Sequence, residues 1–155
     1  MRIARYRHDG EVGYGIVDGE VVREIAGAPF PGVESIEVTG TEHHIDDVNL
    51  LAPVLPTKII AVAKNYADHA SEMGAEVPAE PMIFLKPSTA VIGPEAVIRL
   101  PEQSERVEHE AELAVVIGRL CKDVPEHRVA EVILGYTCAN DVTARDLQAT
   151  DGQWG

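Results

Sequence analysis

One stretch limits the fold more than any other, Val107–Gly118, V-E-H-E-A-E-L-A-V-V-I-G. Its second half, Leu113–Ile117, is apolar and β-branched, which favours a buried strand. Side chains alternate faces along a strand. One face then carries Ala111, Leu113, Val115 and Ile117 and suits a core. The other carries Glu108, Glu110 and Glu112. Like charges this close repel, and partly buried ones are costly unless paired. A hard cation resolves both problems, because carboxylate oxygens are its preferred ligands. The alternative is a solvated strand face near a sheet edge, where charges guard against aggregation.

The rest of the chain must supply whatever meets that face. Length (155 residues) suits one ordinary domain, or one and a half small ones. A formal net charge of -13 leaves no basic stripe to meet phosphates, which excludes nucleic-acid binding as an expectation. An acidic chain acting on an anionic substrate needs a local cation, and a metal supplies one. No apolar run is long enough to span a membrane and no signal-peptide pattern is present. Cys121 and Cys138 have no metal or disulfide spacing and read as reduced, buried packing residues of a cytoplasmic protein.

Residues 1–25 read as an antiparallel meander: Ile3–Tyr6, Val12–Val17 and Val21–Ile25, separated by Asp9-Gly10 and Asp18-Gly19, both hairpin signals. Residues 26–50 read as a connector holding two exposed loop histidines, His43 and His44. Lys58–Ala63 is a short buried strand. Asn65 can cap a helix over Tyr66–Met73, ended by Gly74. Met82–Leu85 is a strand leading to Lys86, and Ala90–Ile92 with Val97–Leu100 bracket the Gly93-Pro94 turn as a further β pair. Asp123, Pro125 and Glu126 start a helix with the apolar stripe Val129, Val132 and Ile133, ended by Gly135. Strand Tyr136–Ala139 and a short helix over Thr143–Thr150 follow. The order predicts an α+β protein, mainly β, with a small amino-terminal β domain plus connector over 1–50 and a second domain over 51–155.

Several side chains can carry chemistry. Glu110, Glu112 and Asp141 would form an all-oxygen ligand set for Mg²⁺ or Mn²⁺, with Ca²⁺ as a possible substitute. Asp141 reads equally well as a helix cap. His69 and Glu72 share a helix face, as an acid–base pair or an incidental ion pair. Arg145 and Gln148 share another, to grip a carboxylate and a carbonyl or to lie solvated beside Asp146 or Asp151. Lys86 is either a loop charge or an anion contact. His109 alternates onto the core face and reads as packing; His8 and His127 read as surface residues.

These residues lie in a recognisable order. K-I-I-A-V-A-K-N-Y-A-D-H-A-S-E-M-G at 58–74, P-M-I-F-L-K-P-S-T-A-V-I-G-P at 81–94, V-E-H-E-A-E-L-A-V-V-I-G-R at 107–119, G-Y-T-C-A-N-D-V-T-A-R-D-L-Q at 135–148 and D-G-Q-W at 151–154 together resemble the fumarylacetoacetate hydrolase family in its short bacterial form. The resemblance implies a mixed β-sandwich roll, usually a homodimer, acting on small anionic 2-oxo acids in aromatic catabolism. It implies Glu110, Glu112 and Asp141 as ligands of a divalent metal, His69 and Glu72 as the water-activating pair, and Arg145 and Gln148 as substrate contacts. Glu108 is not a family ligand position and returns to the solvated-charge reading. The implied reaction is hydrolysis of a C–C bond in an acylpyruvate-like substrate. Oxaloacetate decarboxylation and isomerisation of a hydroxymuconate-type diacid are alternatives on the same site, and an inactive fragment or metal-binding assembly module is the rival from another class. Family members continue for roughly another hundred residues, including a substrate-binding lysine, so the expectation here is a truncated domain with unpaired sheet edges.

Overall fold

The computed structural model describes residues 1–30, 36–67 and 77–151. The amino-terminal hairpins form where their turn chemistry places them. Strands β1 (Arg2–His8) and β2 (Glu11–Asp18) pair antiparallel through His8 and Glu11. Asp9 and Gly10 fill the loop at φ 47° and 87°, the two left-handed residues that a type I′ turn requires. Strand β3 (Val21–Ile25) pairs with β2 through Asp18 and Val21, so the second loop is Gly19-Glu20, one residue later than the Asp-Gly step suggests.

Residues 26–50 are more than a connector. They contain β4 (Val38–His44), a 3₁₀ turn Ile45–Asp47 and the start of β5 (Asn49–Leu51). These complete a five-stranded antiparallel sheet in the order β4-β3-β2-β1-β5. β4 is an edge strand with mostly exposed side chains, so no alternating apolar pattern marks it. His43 is a half-buried strand residue, its ring 4.2 Å from that of His8 and 5.5 Å from Tyr6, so neither His8 nor His43 is a free surface group. The core of this sheet is Tyr6, Val22 and Ile25, and Ala52, just past β5, is buried as well. Gly15 lies beneath Val22, where an added Cβ would stand 2.5 Å from the valine Cγ1.

Residues 51–151 build three two-stranded antiparallel ladders from strands β6 (Ile59–Ala63), β7 (Met82–Lys86), β8 (Val107–Glu108), β9 (Ala111–Ile117), β10 (Ile133–Asn140) and β11 (Thr143–Ala144), paired β6–β7, β9–β10 and β8–β11. A short helix, α1 (Arg145–Asp151), follows. The molecule is thus mainly β with a minor helical part.

Five local expectations fail. Val91–Leu100 forms no β pair: Ser88–Ala90 is a 3₁₀ turn, and Gly93–Ala96 closes a turn over Pro94 and Glu95. Ile92, Val97 and Leu100 are exposed, so no buried face fixes a register there. The helix after Asp123 is a 3₁₀ segment, Glu126–Glu131, without a side-chain cap, and Ile133 already belongs to β10. Pairing with β9 outweighs local helix preference, and Gly135 marks a register shift in that ladder rather than a helix stop. The faces of β9 are also reversed in cover. Leu113 is 63% exposed, and Val115 and Ile117 are exposed with it, while Glu112, Ala114 and Val116 are half-buried. β6 likewise exposes Ile60 and Val62, and both cysteines are exposed rather than buried.

Candidate active site

The acidic stretch is broken, and the break makes the site. β9 and β10 pair up to Ala111 and Asn140. Beyond that point the Asn140 side-chain oxygen accepts from the Glu110 amide at 3.0 Å, and the Asp141 amide donates to the Glu110 carbonyl at 2.9 Å. Pairing resumes in β8–β11 with Glu108 opposite Thr143, and the Arg145 amide donates to the Arg106 carbonyl at 2.8 Å. The two chain segments therefore run side by side through an irregular step at His109–Glu110 and Asp141–Val142. His109 sits exposed in that step and is not a packing residue.

The step lets Glu108 and Glu110 reach the same cation. Arg145 donates from Nε to Glu108 Oε2 at 2.9 Å and from Nη1 to Gln148 Oε1 at 3.1 Å. Its Nη2 pairs with Glu110 Oε1. This side chain is only 15% exposed, so its charge requires such partners. Burial opposes its charged form, yet the hydrogen bonds it donates to Glu108 and Glu110 carry its pKa upward on balance. The other oxygen of Glu108 accepts from Arg106 Nε at 2.7 Å. Bonds from Arg145 and then Arg106 hold the Glu108 carboxyl below the usual carboxylate range. Glu108 is therefore a paired carboxylate rather than a solvated charge.

A second ion pair lies beside the first. Lys86, at the end of β7, places Nζ 2.8 Å from Asp141 Oδ1, and both side chains are largely buried. Asp141 is thus engaged by a lysine, and α1 begins four residues later at Arg145, so Asp141 is not its cap. The start of α1 is tied down by Asp146. Its carboxylate accepts from Ser104 Oγ at 2.6 Å and from the amides of Glu105 and Leu147 at 2.8 and 2.9 Å. The Ser104 bond, then the Glu105 amide, lower its pKa.

The structure thus brings together Lys86, Glu110, Asp141, Arg145 and Gln148, with Glu112 half-buried on β9 opposite Ala139. His69 and Glu72 lie outside the described residues. Sequence reasoning did not name Arg106, left Glu108 as a solvated charge, and offered Asp146 only as a possible partner of Arg145. The signal for Arg106 and Glu108 was present: they stand two apart, a spacing that puts both side chains on one side of an extended segment.

Glu110, Glu112 and Asp141 offer oxygen donors only, which fits a hard divalent cation. The Glu110–Asp141 backbone bond fits as well, since it holds two of the three on adjoining segments. In this conformation Arg145 and Lys86 occupy Glu110 and Asp141. Among the described residues, no three His, Cys, Asp or Glu side chains stand close enough together to hold an ion. Ligation would require these carboxylates to turn from their cations.

Comparison with known proteins decides the family. Residues 58–155 match the fumarylacetoacetate (FAA) hydrolase C-terminal family. The chain belongs to the fumarylacetoacetate hydrolase family. Residues 1–53 match the Rv2993c-like N-terminal family. Protein Rv2993c of Mycobacterium tuberculosis is 51% identical over 161 residues, covering 99% of this chain and 60% of the relative. The crystal structure of 5-carboxymethyl-2-hydroxymuconate delta-isomerase from Mycobacterium smegmatis superimposes with a TM-score of 0.86 at 50% identity, covering 99% of this chain and 60% of that one. Maleylpyruvate hydrolase from Sphingobium sp. SYK-6, in complex with manganese(II) and pyruvate, gives a TM-score of 0.69 at 27% identity over 94% of this chain and 60% of its own. The chain therefore spans about three fifths of the length of these relatives. Among the described residues no helix is long and apolar enough to cross a membrane.

Proposed function

We propose that this chain carries the acidic half of the active site of a divalent-metal-dependent enzyme that cleaves a C–C bond in acylpyruvate-like 2-oxo acids. The observation that carries the reading is the backbone bond from the Asp141 amide to the Glu110 carbonyl, which holds side by side, at the end of β10, two residues that the resemblance implies as ligands. Glu110, Glu112 and Asp141 would hold Mg²⁺ or Mn²⁺. The bound ion supplies a Lewis acid for the 2-oxo-carboxylate end and for the charge of the departing enolate. The manganese and pyruvate held by the Sphingobium hydrolase support that choice of ion and of product.

The remaining steps belong to side chains. Arg145 presents a guanidinium fork that matches a substrate carboxylate, and Gln148, bonded to it, presents an amide to a carbonyl. Both restrict the substrate to one orientation. In this reading His69, paired with Glu72, would take a proton from the water that attacks the distal carbonyl. The C–C bond then breaks, its electron pair stays with the pyruvate fragment as an enolate, and a proton returns to that carbon.

A second reading has its own support. The Mycobacterium smegmatis isomerase is 50% identical to this chain, against 27% for the hydrolase. In an isomerase the His69–Glu72 pair would shuttle a proton between carbons of a hydroxymuconate-type diacid, with no attacking water. Assay of wild type and Glu110→Ala with added Mg²⁺ or Mn²⁺, against an acylpyruvate, oxaloacetate and an unsaturated 2-hydroxy diacid, separates these readings. Turnover of the acylpyruvate, falling about 100-fold or more in the variant, is the expected result. Near-normal activity of Glu110→Ala at saturating metal sinks the metal assignment, and turnover of the diacid alone replaces hydrolysis with isomerisation.

A further inference from the structure

Arg145 stands at a junction of competing claims. Its Nη2 holds Glu110, a proposed metal ligand, while its Nε holds Glu108, which is not one. Glu108 in turn is fixed from behind by Arg106. The four side chains form an alternating row, Arg106–Glu108–Arg145–Glu110, in which each inner member touches two neighbours of opposite charge. A guanidinium with a second carboxylate partner draws less strongly on the first, and one held at Nε stays in place when Nη2 is vacated. The step between β8 and β9 makes this possible, because it brings Glu108 and Glu110 to one guanidinium.

We propose that Glu108 is a positioning residue that anchors Arg145, so that Glu110 can turn to a divalent cation while Arg145 remains in the site. The inference rests on the metal reading above and deepens it. Arg106 completes the device by holding Glu108 against Arg145. Removing the Glu108 carboxylate leaves Glu110 as the only charged partner of Arg145 in this row, and Glu110 then becomes harder to recruit as a ligand.

The test is Mn²⁺ binding by calorimetry, with thermal unfolding run on each variant to check folding. Wild type, Glu108→Gln, Arg145→Gln and the double variant form a cycle. Glu108→Gln is expected to weaken Mn²⁺ binding by roughly tenfold, and to change it less than about twofold when Arg145 is already Gln. An equal loss in both backgrounds overturns the proposal, because Glu108 then acts by charge alone or by direct ligation. No loss in the wild-type background overturns it too. Glu108→Asp keeps the charge but shortens the reach to Nε. It is expected to weaken binding as Gln does, and binding like wild type refutes the anchor even if Glu108→Gln fails to fold. Failure of wild type itself to bind Mn²⁺ sinks the metal reading, and with it this inference. Tight wild-type binding with no dependence on Glu108 sinks the inference alone.

Discussion

Gly15 shows how little room the first sheet leaves. A Cβ at this position would stand 2.5 Å from Val22 Cγ1 and 2.9 Å from the Arg23 carbonyl oxygen, and one of these two obstacles is backbone. Val22 is fully buried and has nowhere to move. Gly15→Ala is therefore expected to destabilise the protein by about 1–3 kcal/mol. Denaturant unfolding checks this, and a wild-type midpoint would show that the sheet yields more easily than its packing suggests. At the same scale, the residue types of the site could be read in the chain, but their partners could not. Lys86 looked like a loop charge or an anion contact; it is the cation on Asp141. Arg145 looked able to pair with Asp146 or Asp151, yet it turns to Glu108 and Glu110, while Asp146 binds Ser104 and two amides. Periodicity assigns a side chain to a face, and these pairings depend on a backbone step that has no periodic signature.

Elements with strong local chemistry were the legible ones. The Asp-Gly loops and the alternating runs around them gave three strands almost at their observed bounds. Elements stabilised by distant pairing were not legible. β4 lacks an apolar pattern, and β10 overrides a helical stripe because β9 lies beside it. The elements around the site also hold two carboxylates, Glu108 and Asp146, below their ordinary range. Their folded pKa values lie under the unfolded ones. The stability they contribute is thus fully present above the unfolded values and is lost as pH falls through the folded ones. The thermal midpoint is expected to decline below roughly pH 4, where unfolded Asp and Glu titrate. Glu108→Gln and Asp146→Asn should flatten that decline, and an unchanged slope in both variants would rule out these carboxylates as its cause.

Across the whole molecule, alternation in β9 separated two faces correctly but could not say which one is covered. Leu113, Val115 and Ile117 lie on one side with Tyr136 of β10, all exposed, and Ile60, Val62, Ile83 and Leu85 form a second exposed apolar face on β6–β7. Cover is a property of tertiary neighbours, and a strand pattern carries no information about them. The separation of partners along the chain has a further consequence, in the order of assembly. The first hairpins close over two-residue loops, whereas Glu108 meets Arg145 across 37 positions, the Glu105 amide meets Asp146 across 41, and the Leu113 amide meets the Tyr66 hydroxyl across 47. Closing a long loop costs entropy before any contact rewards it. In pulse-labelled hydrogen exchange during refolding, amides of β1–β3 should become protected before those of Glu105 and Leu113; the reverse order would refute this sequence of events. Until those late contacts form, Glu108 and Glu110 stand two residues apart with only the neighbouring Arg106 to offset them, so the acidic stretch opposes folding early and supports the fold fully only once the chain has brought Arg145 to Glu110 and Lys86 to Asp141.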